Sequence, residues 1–207
     1  DMPTAEVAAN MEYRIDGLVE AVSEAVAETD EALFEKFFSG EAFTQKELID
    51  GIHKGLNEGI ITPVTCVSST TMAGIDMLLK EISLLLPAPS DNDVKEAEDK
   101  DGNPVEVKCD TDAPLSALVF KTVADPFVGK ISIMKVVSGE LKAGMELMNT
   151  RAGKSEKINK IAFMRGKTQL ETSVVNAGDI VAVPKLVYTE TGDTLCDKSK
   201  SRTYVNI

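Results

Sequence analysis

The chain has 207 residues, with 22 Lys and Arg against 34 Asp and Glu, a formal net charge of −12. That length suits one or two domains with a real core, and 43% hydrophobic with 27% charged residues excludes a disordered chain. No apolar run reaches the ~18 residues of a membrane span, and Asp1-Met2-Pro3-Thr4 is neither basic nor apolar, so neither a membrane helix nor a signal peptide is expected.

A start at Asp suggests an excised fragment. Cys66, Cys109 and Cys196 lie far apart, and with the lone His53 they make no metal-ligand spacing. Reduced thiols and a cytoplasmic location are the expectation. The charge divides unevenly. Residues 1–90 carry 16 acids and 5 bases, residues 91–112 carry 9 and 3, and residues 113–207 carry 9 and 14. The two ends therefore suit different partners.

Ala5 to Glu28 places Val7, Met11, Ile15, Leu18, Val19, Val22 and Val26 at spacings of three and four, which predicts a helix. Thr29-Asp30-Glu31 breaks it and offers a cap for a short helix over Glu31–Phe38. Phe34, Phe37, Phe38 and Phe43 are expected in the core. Thr44 followed by Glu47 is a capping-box pattern opening a helix to about Asn57. Ile60–Val67 is β-branched and apolar and predicts a buried strand, with Pro63 marking an edge or an irregular start. After the polar turn Ser68–Gly74, Ile75–Leu86 predicts another helix, stopped by Pro87-Ala88-Pro89. Helix, strand, loop, helix is the pattern of one edge of an α/β domain.

Residues 91–112 are polar and acidic and predict a linker or a mobile hairpin. Beyond them the apolar period falls to about two. Leu115–Val123, Lys130–Val137, Met145–Thr150, Lys157–Phe163 and Ile180–Val183 are strand candidates with turn glycines between them, which predicts a small antiparallel barrel. The whole is α+β: a helical first half at 1–90, a linker at 91–112 and a barrel at 113–207.

Arg151, Lys154, Lys157, Lys160, Arg165 and Lys167 form a basic stretch. They fit neutralisation of RNA phosphates or an ordinary solvated strand face. No glycine–aromatic RNA-stacking string accompanies them. His53 has no catalytic partner suggested by sequence. Glu28, Asp30, Glu31 and Glu35 read as a solvated acidic face.

Two stretches resemble translation elongation factor G. The first is Pro63-Val64-Thr65-Cys66-Val67-Ser68-Ser69, then Gly74, Leu78-Leu79 and Leu86-Pro87-Ala88-Pro89. It is similar to the last strand, guanine loop and last helix of that family's GTPase domain. The second runs from Asp125-Pro126-Phe127-Val128-Gly129-Lys130 through Ser138-Gly139 and Ala177-Gly178-Asp179 to Thr191-Gly192-Asp193-Thr194-Leu195-Cys196-Asp197. It is similar to the family's second domain, a β-barrel. Residues 20–40 resemble the helical insert before the guanine loop.

The resemblance implies a partial G-domain edge with its insert, followed by a translation-factor barrel. Such a segment of a translational GTPase would act in ribosomal translocation. It implies that Ser68 and Ser69 are the remnant of a guanine-binding loop, although the family's usual pair is Ser-Ala. The alternative reading of Ser68–Thr71 is a polar turn capping the helix from Ile75. It further implies contact of the barrel with small-subunit ribosomal RNA and of the insert with a ribosomal stalk protein, with GTP and magnesium bound by the parent protein. These 207 residues contain no GxxxxGK[ST] and no Asn-Lys-x-Asp, so the chain by itself is expected to be non-catalytic and to hold no cofactor. Met164-Arg165-Gly166-Lys167 and Val183-Pro184-Lys185-Leu186 depart from the main factor's pattern. A paralogue in ribosome protection or recycling, and a stand-alone interaction module, therefore stay open.

Overall fold

The computed structural model describes residues 12–91 and 95–204. The chain divides into two units, Asp1–Asp91 and Asn92–Ile207.

The described residues of the first unit form four helices: α1 (Glu12–Ala27), α2 (Glu31–Phe38), α3 (Gln45–Asn57) and α4 (Ile75–Leu85). The first turns of the helix expected from Ala5 lie outside the described residues. Asp30 caps α2 by accepting from the Ala32 N–H at 3.0 Å. Thr44 and Glu47 form the reciprocal capping box at the start of α3, with 3.2 Å from the Glu47 N–H to Thr44 Oγ1 and 2.7 Å from the Thr44 N–H to Glu47 Oε2. Glu47 also receives both bonds of Lys36 Nζ, at 2.8 and 2.9 Å, which tie α2 to α3. Helices α1 and α3 approach closely at Gly51, where a Cβ would lie 2.5 Å from Val26 Cγ1. Val26 and Ala27 are buried there.

Three expectations fail in this unit. Ile60–Val67 forms no strand, because a strand needs a ladder partner and the described residues of this unit contain none. Val64 is left 89% exposed. Phe34 and Phe38 are exposed and Phe37 and Phe43 only half-buried rather than core, since α1 and α3 cover only part of the surface of this eight-residue helix. Helix α4 is capped by Gly74 in the left-handed region with no side-chain bond, so the Ser68–Thr71 turn is not its cap.

The second unit is β-rich. Eight of its strands are β3 (Ser116–Asp125), β4 (Gly129–Ser138), β6 (Glu146–Asn149), β7 (Lys154–Lys157), β8 (Ile161–Arg165), β9 (Thr168–Thr172), β11 (Ile180–Pro184) and β12 (Thr194–Cys196). They form the main antiparallel sheet in the order β7-β6-β12-β3-β4-β11-β8-β9. A two-stranded piece pairs β5 (Glu140–Lys142) with β10 (Val174–Asn176). The sheet coils around Met134, Leu141, Leu147, Ile158, Ile161, Val181 and Leu195, all essentially without solvent contact. Gly139 turns β4 into β5 at φ +77°, where a Cβ would lie 2.5 Å from Leu115 Cα. Lys157–Phe163 is two strands rather than one, because Ile158 turns into the core and bonds both ways with Met145 and Gly144.

The segment expected as a linker or a mobile hairpin is a hairpin built into a sheet. Strands β1 (Lys95–Glu98) and β2 (Pro104–Val107) form a hairpin that pairs with β13 (Thr203–Tyr204). Asp99 organises its turn by accepting from the N–H groups of Asp101 and Asn103 at 2.8 and 2.9 Å. Ala97, Val107 and Tyr204 bury against Val137 on the outer face of β4, so the acidic composition of this stretch hides a covering sheet. Three hydroxyls bond it to the barrel. Ser138 Oγ donates to the Pro114 carbonyl at 2.7 Å, so Ser116 must donate to Ser138 and Tyr204 to Ser116, each at 2.6 Å. Burial raises the Tyr204 phenol above its usual range, which keeps that last donor protonated.

The Lys36 bond, followed by the Thr44 backbone and hydroxyl contacts, holds the Glu47 carboxyl at about 2 against an ordinary 4.5. A carboxyl depressed in the folded state contributes stability that is complete above its unfolded value and lost as pH falls through its folded one. NMR titration should find Glu47 protonating far below 4.5, with α3 fraying from its first turn between about pH 4.5 and 2. Glu47→Gln should remove that pH dependence, and an ordinary Glu47 midpoint would contradict the assignment.

Candidate functional site

Three loops converge at one end of the barrel. The β3–β4 hairpin ends there, since Asp125 pairs with Gly129. Asp125 Oδ1 accepts from the N–H groups of Phe127 and Val128 at 2.9 and 2.8 Å, and the Phe127 ring stands 97% exposed on this tight turn. Strand β11 runs antiparallel to β4 with Pro184 opposite Ile131, so it delivers Lys185 to the same end. The Lys185 N–H donates to the Lys130 carbonyl at 2.8 Å. Strand β6 ends there too, because Asn149 pairs with Leu195 of β12 and the Thr150 N–H reaches Thr194 O at 3.1 Å. The β6–β7 turn at 150–153 and the loop at 185–193 therefore flank the hairpin.

Two buried carboxylates fix the long loop. Asp193 is 3% exposed. It accepts from Asn149 Nδ2 at 2.7 Å, from Arg151 Nε at 2.5 Å and Nη2 at 2.9 Å, and from the Glu190 N–H at 2.8 Å. Burial alone would raise its pKa, but the Arg151 and Asn149 bonds outweigh it and the net shift is downward. Glu156 is 4% exposed. It accepts from the N–H groups of Val187 (3.1 Å), Tyr188 (2.6 Å) and Thr189 (3.0 Å), and from Thr189 Oγ1 at 3.0 Å. The result is a rigid loop with Leu186 and Thr189 turned in and Val187 and Tyr188 turned out, 71% and 48% exposed.

The basic stretch does not act as one patch. Arg151 is committed to Asp193, to Glu190 at 3.1 Å and to the Tyr188 carbonyl at 3.1 Å, although half of its side chain stays exposed. Lys154, opposite Asn149, stands at the loop-rich end. Lys157, opposite Glu146, lies at the other end of the same strand. Lys160 pairs with Glu171 at 2.7 Å. Arg165 and Lys167 sit at the β8–β9 turn, which the antiparallel register of β8 with β11 places at the far end of the barrel. Spacing alone missed Lys185, Phe127, Val187 and Tyr188, and the two carboxylates that organise them. One signal was available: Glu156 is the single acid within residues 151–167.

Ser68 is consumed by its own turn. Its N–H donates to Ala73 O at 3.0 Å, and its hydroxyl accepts from the Thr71 N–H at 3.3 Å. Ser69 is exposed beside it. The described residues offer this loop no phosphate cradle. His53, read as partnerless, has Asp91 Oδ2 3.4 Å from its Nε2, outside hydrogen-bond geometry. Among the described residues no group of three His, Cys, Asp or Glu is placed to hold a metal, and no helix is long and apolar enough to cross a membrane.

Residues 114–198, the strands and loops just described, match the family model for elongation factor G domain 2. They form an elongation factor G domain 2. A crystal structure of a protein from Thermus thermophilus aligns with 93% of this chain at 30% identity and a TM-score of 0.75. The match covers 26% of that chain, so the present chain spans about a quarter of its length. In this elongation factor G domain the Thr191-Gly192-Asp193 string has a definite role. Gly192 and Asp193 exchange backbone bonds with Val119 at 2.7 and 2.9 Å while the Asp193 side chain clamps the loop.

Asp193→Ala leaves Asn149, Arg151 and the Glu190 N–H without their acceptor. It should cost about 2–4 kcal/mol of barrel stability in calorimetry. A loss below about 0.5 kcal/mol, the range of an ordinary surface substitution, would show that the clamp is dispensable.

Proposed function

We propose that this chain is a non-catalytic segment of an elongation-factor-G-like translational GTPase, acting in the cytoplasm in ribosomal translocation. The loop-rich end of the barrel rests on small-subunit ribosomal RNA. The observation that carries this reading is the convergence at that end of Lys154 and Lys185, neither in an ion pair among the described residues, with exposed Phe127, Val187 and Tyr188. Cations without internal partners are free to replace the counterions of a phosphate backbone, and exposed apolar and aromatic groups can meet the bases and sugars.

The helical insert is the part proposed to meet a ribosomal stalk protein. Phe34 and Phe38 lie exposed on α2 beside Glu31 and Glu35, which suits a protein partner better than a polyanion. GTP and magnesium belong to the parent protein. In this chain Ser68 commits its N–H and hydroxyl to the 68–73 turn, which supports the reading that the guanine-loop remnant does not bind nucleotide alone.

Two measurements test the reading. The double variant Lys154→Glu/Lys185→Glu should weaken binding to isolated small ribosomal subunits by at least about tenfold at low salt. It should also reduce the slope of log K against log salt by about one to two. Arg165→Glu/Lys167→Glu, at the far end, should leave both nearly unchanged. Equal losses at the two ends would remove this end as the contact. Calorimetry with GDP at millimolar concentration should show no heat of binding, and a clear isotherm would restore a nucleotide site to the Ser68–Ser69 loop.

A further inference from the structure

We propose that Tyr188, held outward by the buried carboxylate of Glu156, stacks on an unpaired base of the RNA that this end of the barrel meets. The inference rests on the RNA reading above and names the residue that makes the non-electrostatic part of the contact.

Glu156 is the starting point. A carboxylate taken out of water without a cation is costly, and Glu156 has no cation among its hydrogen-bond partners. It is satisfied instead by three consecutive N–H groups and a hydroxyl of one loop. Two of the three residues whose N–H groups it holds, Val187 and Tyr188, are exposed, so the arrangement serves the surface as well as the interior. Leu186 is 3% exposed and Thr189 fully buried, whereas Val187 and Tyr188 between them face solvent. The loop is anchored at both ends and displays its middle.

Tyr188 is pinned on both backbone groups. Its N–H donates to Glu156 Oε1 at 2.6 Å, and its carbonyl accepts from Arg151 Nη2 at 3.1 Å. Arg151 is itself held by Asp193. An aromatic ring on a fixed backbone, with a half-exposed guanidinium bonded to its own carbonyl and Lys154 and Lys185 on the neighbouring elements, combines the two elements of unpaired-RNA recognition. These are a π-face for a base and cations for the backbone. Preorganisation matters here because a ring that must first be immobilised loses part of its stacking energy to that ordering. The local cations favour a polyanion such as RNA over a protein surface poor in acids.

The test uses the 207-residue chain and isolated small ribosomal subunits. Tyr188→Ala should weaken binding roughly five- to hundredfold, with the melting temperature and the salt slope unchanged, because stacking releases no counterions. Tyr188→Phe should bind like the wild type. Photo-crosslinking from p-benzoylphenylalanine placed at 188 should label ribosomal RNA. Glu156→Gln should give a smaller loss of affinity together with faster amide exchange at 187–189. If the wild-type chain binds in a salt-dependent way but Tyr188→Ala binds equally well, the stacking inference falls and the RNA reading stands. Crosslinks confined to a ribosomal protein also overturn the stacking inference. If the wild-type chain does not bind the subunits at all, both fall together. Unchanged exchange in Glu156→Gln overturns the positioning role of Glu156.

Discussion

The loop-rich end of the barrel depends on one constraint: a carboxylate buried without a counter-ion must be surrounded by donors. Glu156 enforces it at Val187–Thr189, and Asp193 enforces a related demand at Glu190 with Asn149 and Arg151. Each acid removes backbone N–H donors from competition with water. A nine-residue loop that would otherwise fluctuate becomes a surface of fixed shape. Because both acids lie on elements joined to the barrel core, through Leu147 and Leu195, the loop inherits the rigidity of that core.

A second layer of order comes from polar groups acting as seams between sheets. The chain Tyr204–Ser116–Ser138–Pro114 has one direction only, because Ser138 gives its single proton to a carbonyl. That direction fixes the phenol as a donor and seats the three-stranded sheet on the outer face of β4. Ala97, Val107 and Val137 close the space around it. The C-terminal end of β4, Val136–Ser138, is therefore buried on both faces, while at its N-terminal end Gly129 is exposed and the β3–β4 hairpin carries the exposed Phe127. The same strand thus anchors the covering sheet at one end and builds the candidate site at the other.

Much of this was legible in the residues. The caps at Asp30 and Thr44 and the four helices follow from side-chain chemistry local in sequence, and so do the main strand positions. What was not legible depends on distant partners. Ile60–Val67 is β-branched and apolar but has no ladder partner among the described residues, so it stays outside their sheets. The 91–112 segment has the composition of a linker, yet its own Ala97 and Val107 meet the distant Val137 and Tyr204, which makes it part of a sheet. The basic stretch looked continuous because one-dimensional spacing does not record register. Antiparallel pairing sends Lys154 to one end of the barrel and Arg165 with Lys167 to the other.

Arg151 shows why charge counting needs geometry. In sequence it is the first of six cations. In the fold its Nε and Nη2 are committed to Asp193, Glu190 and the Tyr188 carbonyl, so its charge is largely cancelled and its role is to set the loop. Lys185, which lies outside the stretch, stands exposed at the start of the loop, where its left-handed backbone at φ 64° follows the end of β11. The excess of positive charge in residues 113–207 is therefore not spread evenly over the barrel. It is available where a cation lacks an internal acid, and at the loop-rich end those positions stand beside the two side chains that Glu156 holds in solvent.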